Sequence, residues 1–371
     1  MSFRVGRRPL ALALLLCAAC PRPSKDSGDT GDPWPGLEDL GPEQLQPPDG
    51  LWQARHFIVP QGRGLVWERD EDFFIDNMTV PHIVVRGDGS FMMMATNMAD
   101  PRGRWSLDSE DGVEWTPADQ ALFLSEDFPQ DCGNRIEDGT VIYARDGSYR
   151  LLLEATQLDE EIGRTDWRAW CQASSSDGMS FEPLAGYFYE GSDQDDMLPS
   201  VPTPLHLQNW SALIYYMGDI YSEHGGYENG NGIRIAQMAA DDDHAEPWIT
   251  KNVMPAGQMD PMPAYLEGGG MRLYHTSTLP IDGDDSPNPG PGPGYAETSD
   301  GQTFTPAERL LDVEGNCFDR QGGECLLDPF FLHLDDGTLL LYYTYLLVDE
   351  GSGGQPTEML KIGIGRARAL D

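Results

Sequence analysis

The sequence predicts an all-β protein, a five-bladed β-propeller with four antiparallel strands per blade. Two observations carry this. The first is a hairpin that recurs. "LLDPFFLHLDDGTLLLYY" at 326 to 343 is two strand-like apolar runs joined at Asp335-Asp336-Gly337, and "DPMPAYLEGGGMRLYH" at 260 to 275 repeats the arrangement. Aligned on the turn, Gly89, Gly147, Trp210, Gly269 and Gly337 each lie eight residues after Pro81, Gly139, Pro202, Pro261 and Pro329. The residues before these, Val80, Asp138, Val201, Asp260 and Asp328, are spaced by 58, 63, 59 and 68, which defines five units. The second observation is an outer signature that follows the first, second and fourth hairpins: "SEDGVEWTP" (109–117), "SSDGMSFEP" (175–183) and "TSDGQTFTP" (298–306). Its Asp-Gly supplies a positive-φ turn and its aromatic opens an outer strand.

Each unit is therefore two hairpins, and radial repetition of four-stranded sheets makes a propeller. The third unit carries a degenerate outer turn, "AADDDHAEPW". The fifth ends after one more strand, "MLKIGIGRARALD", so its fourth strand must come from the unassigned residues 54 to 68. Closure of the last blade by this N-terminal strand removes a raw sheet edge.

The N-terminus has another character. Arg4, Arg7 and Arg8 precede the apolar run "LALALLLCAA" at 10 to 19, half the ~20 residues a spanning helix needs. A basic start, short apolar core and small residues describe an export signal, residues 1–19. "CAAC" at 17 to 20 resembles the lipobox of bacterial lipoproteins, with Cys17 where Leu is preferred. The resemblance implies diacylated Cys20 and an anchor at the outer membrane or cell surface, with the periplasm as alternative. Residues 20–50 are Pro-, Gly- and Asp-rich and read as a flexible tether, leaving 51–371 for the propeller.

Losing residues 1 to 19 takes three arginines and no acid from 24 basic and 62 acidic residues, so the net charge goes from −38 to −41. Such a surface repels phosphate backbones and excludes nucleic acid as a partner. Beyond Cys17 and Cys20, four cysteines remain, with three connectivities. "CFDRQGGEC" makes Cys317–Cys325 the easiest loop to close, and Cys132–Cys171 then staples one blade. No zinc spacing occurs, and no motif indicates a cofactor; a structural calcium has no specific motif either.

These features resemble the five-bladed glycoside hydrolases: arabinanases, β-xylosidases, invertases and levansucrases. The resemblance covers roughly residues 54 to 371 and rests on the Asp-Pro strand openings, Asp-Gly turns and Ser-x-Asp-Gly-x-x-aromatic hairpins. It implies an axial funnel where an aspartate opening blade one acts as base or nucleophile, an aspartate opening blade two modulates pKa and a glutamate opening blade three acts as acid on glycosidic bonds. Asp138 matches the blade-two position. Val80 stands at the base position, with Asp76 the nearest substitute, and Ser200 and Val201 stand where the acid belongs, with Asp195 and Asp196 upstream.

Asp260 and Asp328 open blades four and five in register with Asp138 and are candidate substrate-binding residues. At the ends of the second strands stand Thr96, Glu154, Met217, Thr276 and Thr344, so Glu154 is the one acid of that column and the expected partner of Asp138. Arg135 and His275 are expected neighbours. The competing reading of Asp260 and Asp328 is an Asx-type turn bond, and that of Asp111, Asp177 and Asp300 is turn structure. Two functions stay open: a carbohydrate-active hydrolase, monomeric and lipid-anchored, or a propeller that binds glycan or protein after losing the catalytic base.

Overall fold

The computed structural model describes residues 40–159, 164–190, 197–220, 232–238, 246–247, 253–254, 257–278, 290–317, 322–349 and 359–371. Three short strands come first: β1 (Ile58–Val59), β2 (Trp67–Arg69) and β3 (Ile75–Asp76). Blade one is β4 (Met78–Val85), β5 (Phe91–Asn97), β6 (Gly103–Ser109) and β7 (Thr116–Leu124). Blade two is β8 (Arg135–Tyr143), β9 (Tyr149–Asp159), β10 (Arg164–Ser175) and β11 (Glu182–Glu190). Blade three is β12 (Met197–His206), β13 (Ala212–Ile220), β14 (Gly232–Met238) and β15 (Glu246–Pro247). Blade four is β16 (Gln258–Leu266), β17 (Met271–Ser277), β18 (Gly292–Thr298) and β19 (Glu308–Arg309). Blade five is β20 (Gly323–His333), β21 (Leu339–Val348) and β22 (Met359–Ala369).

The fourth strand of blade five is β2, antiparallel to β22 with Trp67 opposite Ala369, so the N-terminal strand closes the ring as the sequence requires. Inner strands are covered on both faces, which is why they read as near-continuous apolar runs. Phe91 through Ala95 on β5 and every residue of β14 and β17 are buried. Helix among the described residues is limited to two 3₁₀ turns, Trp52–Phe57 and Ser125–Asp127.

The outer signatures are turns built by their own side chains. Ser109, Ser175 and Thr298 each accept the N–H of the turn glycine through the hydroxyl, while Asp111, Asp177 and Asp300 accept two N–H groups ahead. These three aspartates are structural. Disulfides Cys132–Cys171 and Cys317–Cys325 are both formed, with Cα separations of 6.3 and 5.5 Å.

The packed body starts ahead of residue 51. Pro48 is buried, and Leu40 and Leu45, the latter with no exposed surface, are joined with Leu51 and Ala54 in one side of the core, although composition places residues 40–50 in the tether. The following 3₁₀ turn enters the axis at the end where the inner hairpins turn. There Leu51, Ala54 and Phe57 share a cavity with His82, Thr140 and Phe330. Arg55 reaches Asp335 at 2.9 Å, and β1 adds in parallel to β16. Export-signal residues, Cys20, Asp195, Asp196 and residues 279–289 of the Pro/Gly-rich loop lie outside the described residues.

Candidate active site

All five inner strands break their ladder where they open. The register slips between Thr79 and His82, Ile136 and Asp138, Ser200 and Thr203, Met259 and Met262, and Leu327 and Phe330. Bulges of this kind redirect a side chain and are frequent beside active sites. At four of the five the opening residue is left-handed: Val80 (φ 54°), Val201 (49°), Asp260 (51°) and Asp328 (51°). For a β-branched valine this is an outlier costing roughly 1–2 kcal/mol. Asp138 is not among the positive-φ residues, and it faces Glu154 directly across the ladder.

The bulges gather acids around one buried cation that sequence reasoning missed. Arg104, on the third strand of blade one, has no exposed surface. It donates to the Val80 carbonyl (2.9 Å), the Glu137 carbonyl (3.0 Å) and Thr96 Oγ1 (2.7 Å), and its Nη2 is 3.7 Å from Asp138 Oδ1. Its only sequence signal was a basic residue inside a blade strand. Asp138, Asp328 and Glu154 all act on it electrostatically.

Asp138 is buried, and burial pushes its pKa up to about 7; Glu154 and Asp260 add to the rise, while Arg104 and the Gly139 N–H (2.6 Å) oppose it. Burial also raises Asp328 well above the ordinary carboxylate range, with Asp260 and Asp138 adding and Thr344 and Arg104 opposing. Asp260 Oδ2 accepts the Asp328 N–H at 3.4 Å, so these two anchors are neighbours.

Glu154 is also buried, and its carboxylate is committed. Oε2 accepts from Ser200 Oγ (2.8 Å) and the Val201 N–H (2.7 Å), and Oε1 is 3.4 Å from Arg168 Nε. The three threonines of the column behave this way. Thr96 donates to the Glu137 carbonyl of blade two at 2.6 Å, Thr276 accepts the Asp328 N–H of blade five at 3.0 Å, and Thr344 accepts the Val80 N–H of blade one at 2.8 Å. Each links one blade to the opening of the next. Glu154 is the blade-two member of this set.

Other candidates fall elsewhere. Asp76 is exposed on β3, paired opposite Gly363 on the outer side of β22, with its carboxylate accepting from Asn77. It does not join the Asp138 group. His275 has no exposed surface; its Nδ1 faces the Leu273 carbonyl at 3.3 Å, its Nε2 has no hydrogen-bond partner among the described residues, and burial lowers its pKa to about 4. An imidazole so enclosed is no rim residue. Arg135 is partly exposed and lies 3.9 Å from Glu137 on its own strand. Among the described residues no group of three or more His, Cys, Asp or Glu is arranged to hold a metal ion.

No protein-family model matches the sequence, and no curated protein does. Solved structures do match in fold. A thermostable family-43 glycoside hydrolase superposes with a TM-score of 0.55 at 14% identity, over 77% of this chain and 93% of that one. The endo-arabinase of Bacteroides thetaiotaomicron gives 0.51 at 14% identity, over 80% and 95%. A xylan β-1,4-xylosidase from Bacillus halodurans gives 0.53 at 14% identity, over 81% of this chain and 54% of that one. The fold is thus that of the five-bladed glycoside hydrolase propellers.

Proposed function

We propose that the protein is an exported, lipid-anchored and monomeric propeller that hydrolyses glycosidic bonds of carbohydrate at the axial end of its blades. Residues 1–19 serve as the signal peptide and Cys20 carries the anchor. Asp138 is the proton donor: it protonates the leaving oxygen while a water attacks the anomeric carbon and passes its proton to the ionised member of the Asp260–Asp328 pair. The observation that supports this is the burial of Asp138 beside Asp260 and Glu154, with a pKa about 7, which keeps a protonated acid near neutrality. Glu154 supports the site by fixing the opening of blade three, and Asp76 takes no part.

A second reading, a propeller that binds glycan without cleaving it, is favoured by Val80 and Val201 at two of the three positions where the fold's hydrolases carry acids. Screening aryl glycosides and plant and bacterial polysaccharides with wild type and Asp138→Asn separates the two. Product release abolished in the variant supports hydrolysis. Retardation on a polysaccharide gel without release by the wild type overturns it in favour of binding.

A further inference from the structure

On the face away from the acids lies a second cleft of about 590 Å³, between the N-terminal segment and the inner-hairpin turns of blades one, two and three. That is within the roughly 300–1,000 Å³ of small-ligand sites. Its walls include Trp52, Trp210, Arg145, Gln208, Asn209 and Asp49.

Trp210 is the residue that sets it apart. It occupies the turn position that is Gly89, Gly147, Gly269 and Gly337 in the other four blades, and it takes the same left-handed backbone, φ 71° against 86–113°. Glycine adopts that conformation freely; a bulky side chain is strained there. Four repeats use the unstrained solution, and the fifth places an indole in the wall of a cleft. An observed outlier of this kind points to a role for the side chain.

The rest of the wall fits the same ligand. Trp52 is 38% exposed, and Arg55 lies over its ring at 5.3 Å while being held by Asp335, so the indole is braced. Asn209 spends its carbonyl oxygen on Ser211, which leaves its amide N–H groups as donors. Gln208 and Arg145 are exposed at the same wall. One aspartate and one arginine balance in charge, on a chain of net −38. Two indoles, planar amides and no net charge suit a neutral ring-shaped polyol: apolar C–H faces stack on the aromatics and hydroxyls meet the amides.

We propose that this cleft is a saccharide-binding site, separate from the acids of the axial end and acting whether or not those acids catalyse. Isothermal titration of the intact chain with xylohexaose, arabinohexaose and cellohexaose tests it. At least one is expected to bind saturably, equally well to Asp138→Asn, and at least tenfold more weakly to Trp210→Gly and to Trp52→Ala. Trp210→Gly restores the residue the turn prefers but gives up the packing of the indole on the core and beside His206, so its melt is recorded with its binding; should it fail to fold, Trp52→Ala decides. The proposal is overturned if none of the three binds, if both tryptophan variants bind like wild type, or if only Asp138→Asn loses binding.

Discussion

At the scale of single residues, Asp138 carries the sharpest expectation. A carboxyl whose pKa rises from 3.8 to about 7 on folding gives the native state the extra proton across that interval. Its contribution is intact below pH 4 and is lost as pH rises toward 7, by at most about 4 kcal/mol. His206 and His275 act oppositely: burial lowers both to about 4, so their contribution is present above pH 6.5 and is lost as pH falls toward 4. Only the difference between two proteins isolates the aspartate. Asp138→Asn is expected to match wild type in stability near pH 4 and to exceed it by a few kcal/mol at pH 8. Denaturant titrations at both values check this, and equal differences at the two would refute it. Glu154 is a companion case. Glu154→Leu leaves the Ser200 hydroxyl and the Val201 N–H without this acceptor in a buried place and should cost about 3 kcal/mol, whereas Glu154→Gln keeps the acceptor and should cost about 1. A leucine variant as stable as wild type would remove Glu154 from the interblade links.

At the scale of elements, strand openings were legible because the eight-residue interval and the spacing of 58 to 68 fix register without any knowledge of packing. Hence the sequence puts Asp138, Asp260 and Asp328 in one register, each at the opening of its blade. The column Thr96, Glu154, Met217, Thr276 and Thr344 was equally visible, but the function of its polar members was not. The partners of its polar members sit on the next blade, and three of the four equivalents of Glu154 are threonines doing the same work. Arg104 escaped because two of its hydrogen bonds run to backbone carbonyls, of Val80 and Glu137 on different blades, which leave no pattern in the sequence. Asp76 misled for a related reason: nearness in sequence to Val80 says nothing about β3 pairing with the far side of β22. The link is testable at Thr344, which meets the Val80 N–H. Thr344→Val conserves volume and leaves that N–H unsatisfied, for an expected loss of about 1–3 kcal/mol. Reduction of Cys132–Cys171, which closes a separation of 39 residues, should cost about 4 kcal/mol in the chain-entropy model, against about 2.5 for the eight-residue separation of Cys317–Cys325. Melting Cys132→Ala/Cys171→Ala beside Cys317→Ala/Cys325→Ala checks the order.

At the scale of the whole molecule, the N-terminal segment has two tasks that composition concealed. Residues 67–69 complete blade five, a need that was readable because the fifth unit is one strand short. Residues 40–59 fill the axis and its surroundings, which averaging over a Pro- and Gly-rich window hid, since Leu40, Leu45 and Leu51 are few but each is buried. Burying a leucine or valine contributes about 1.5–3 kcal/mol, so Leu40, Leu45, Leu51 and Val59 together supply on the order of 6–12. That is comparable to the roughly 5–15 kcal/mol by which a whole domain is stable. The same stretch also carries His56, whose Nδ1 meets the His333 carbonyl at 2.8 Å, and Arg55, which ties the turn to blade five. A chain starting at residue 61 keeps every strand of all five blades except β1, yet it is expected to lose cooperative unfolding or to aggregate. A chain starting at residue 40 is expected to melt in one transition. Calorimetry of the two truncations decides the point. A cooperative melt at similar temperature for both would mean that the ring alone holds the propeller, and that the buried leucines of the N-terminal segment contribute far less than their area suggests.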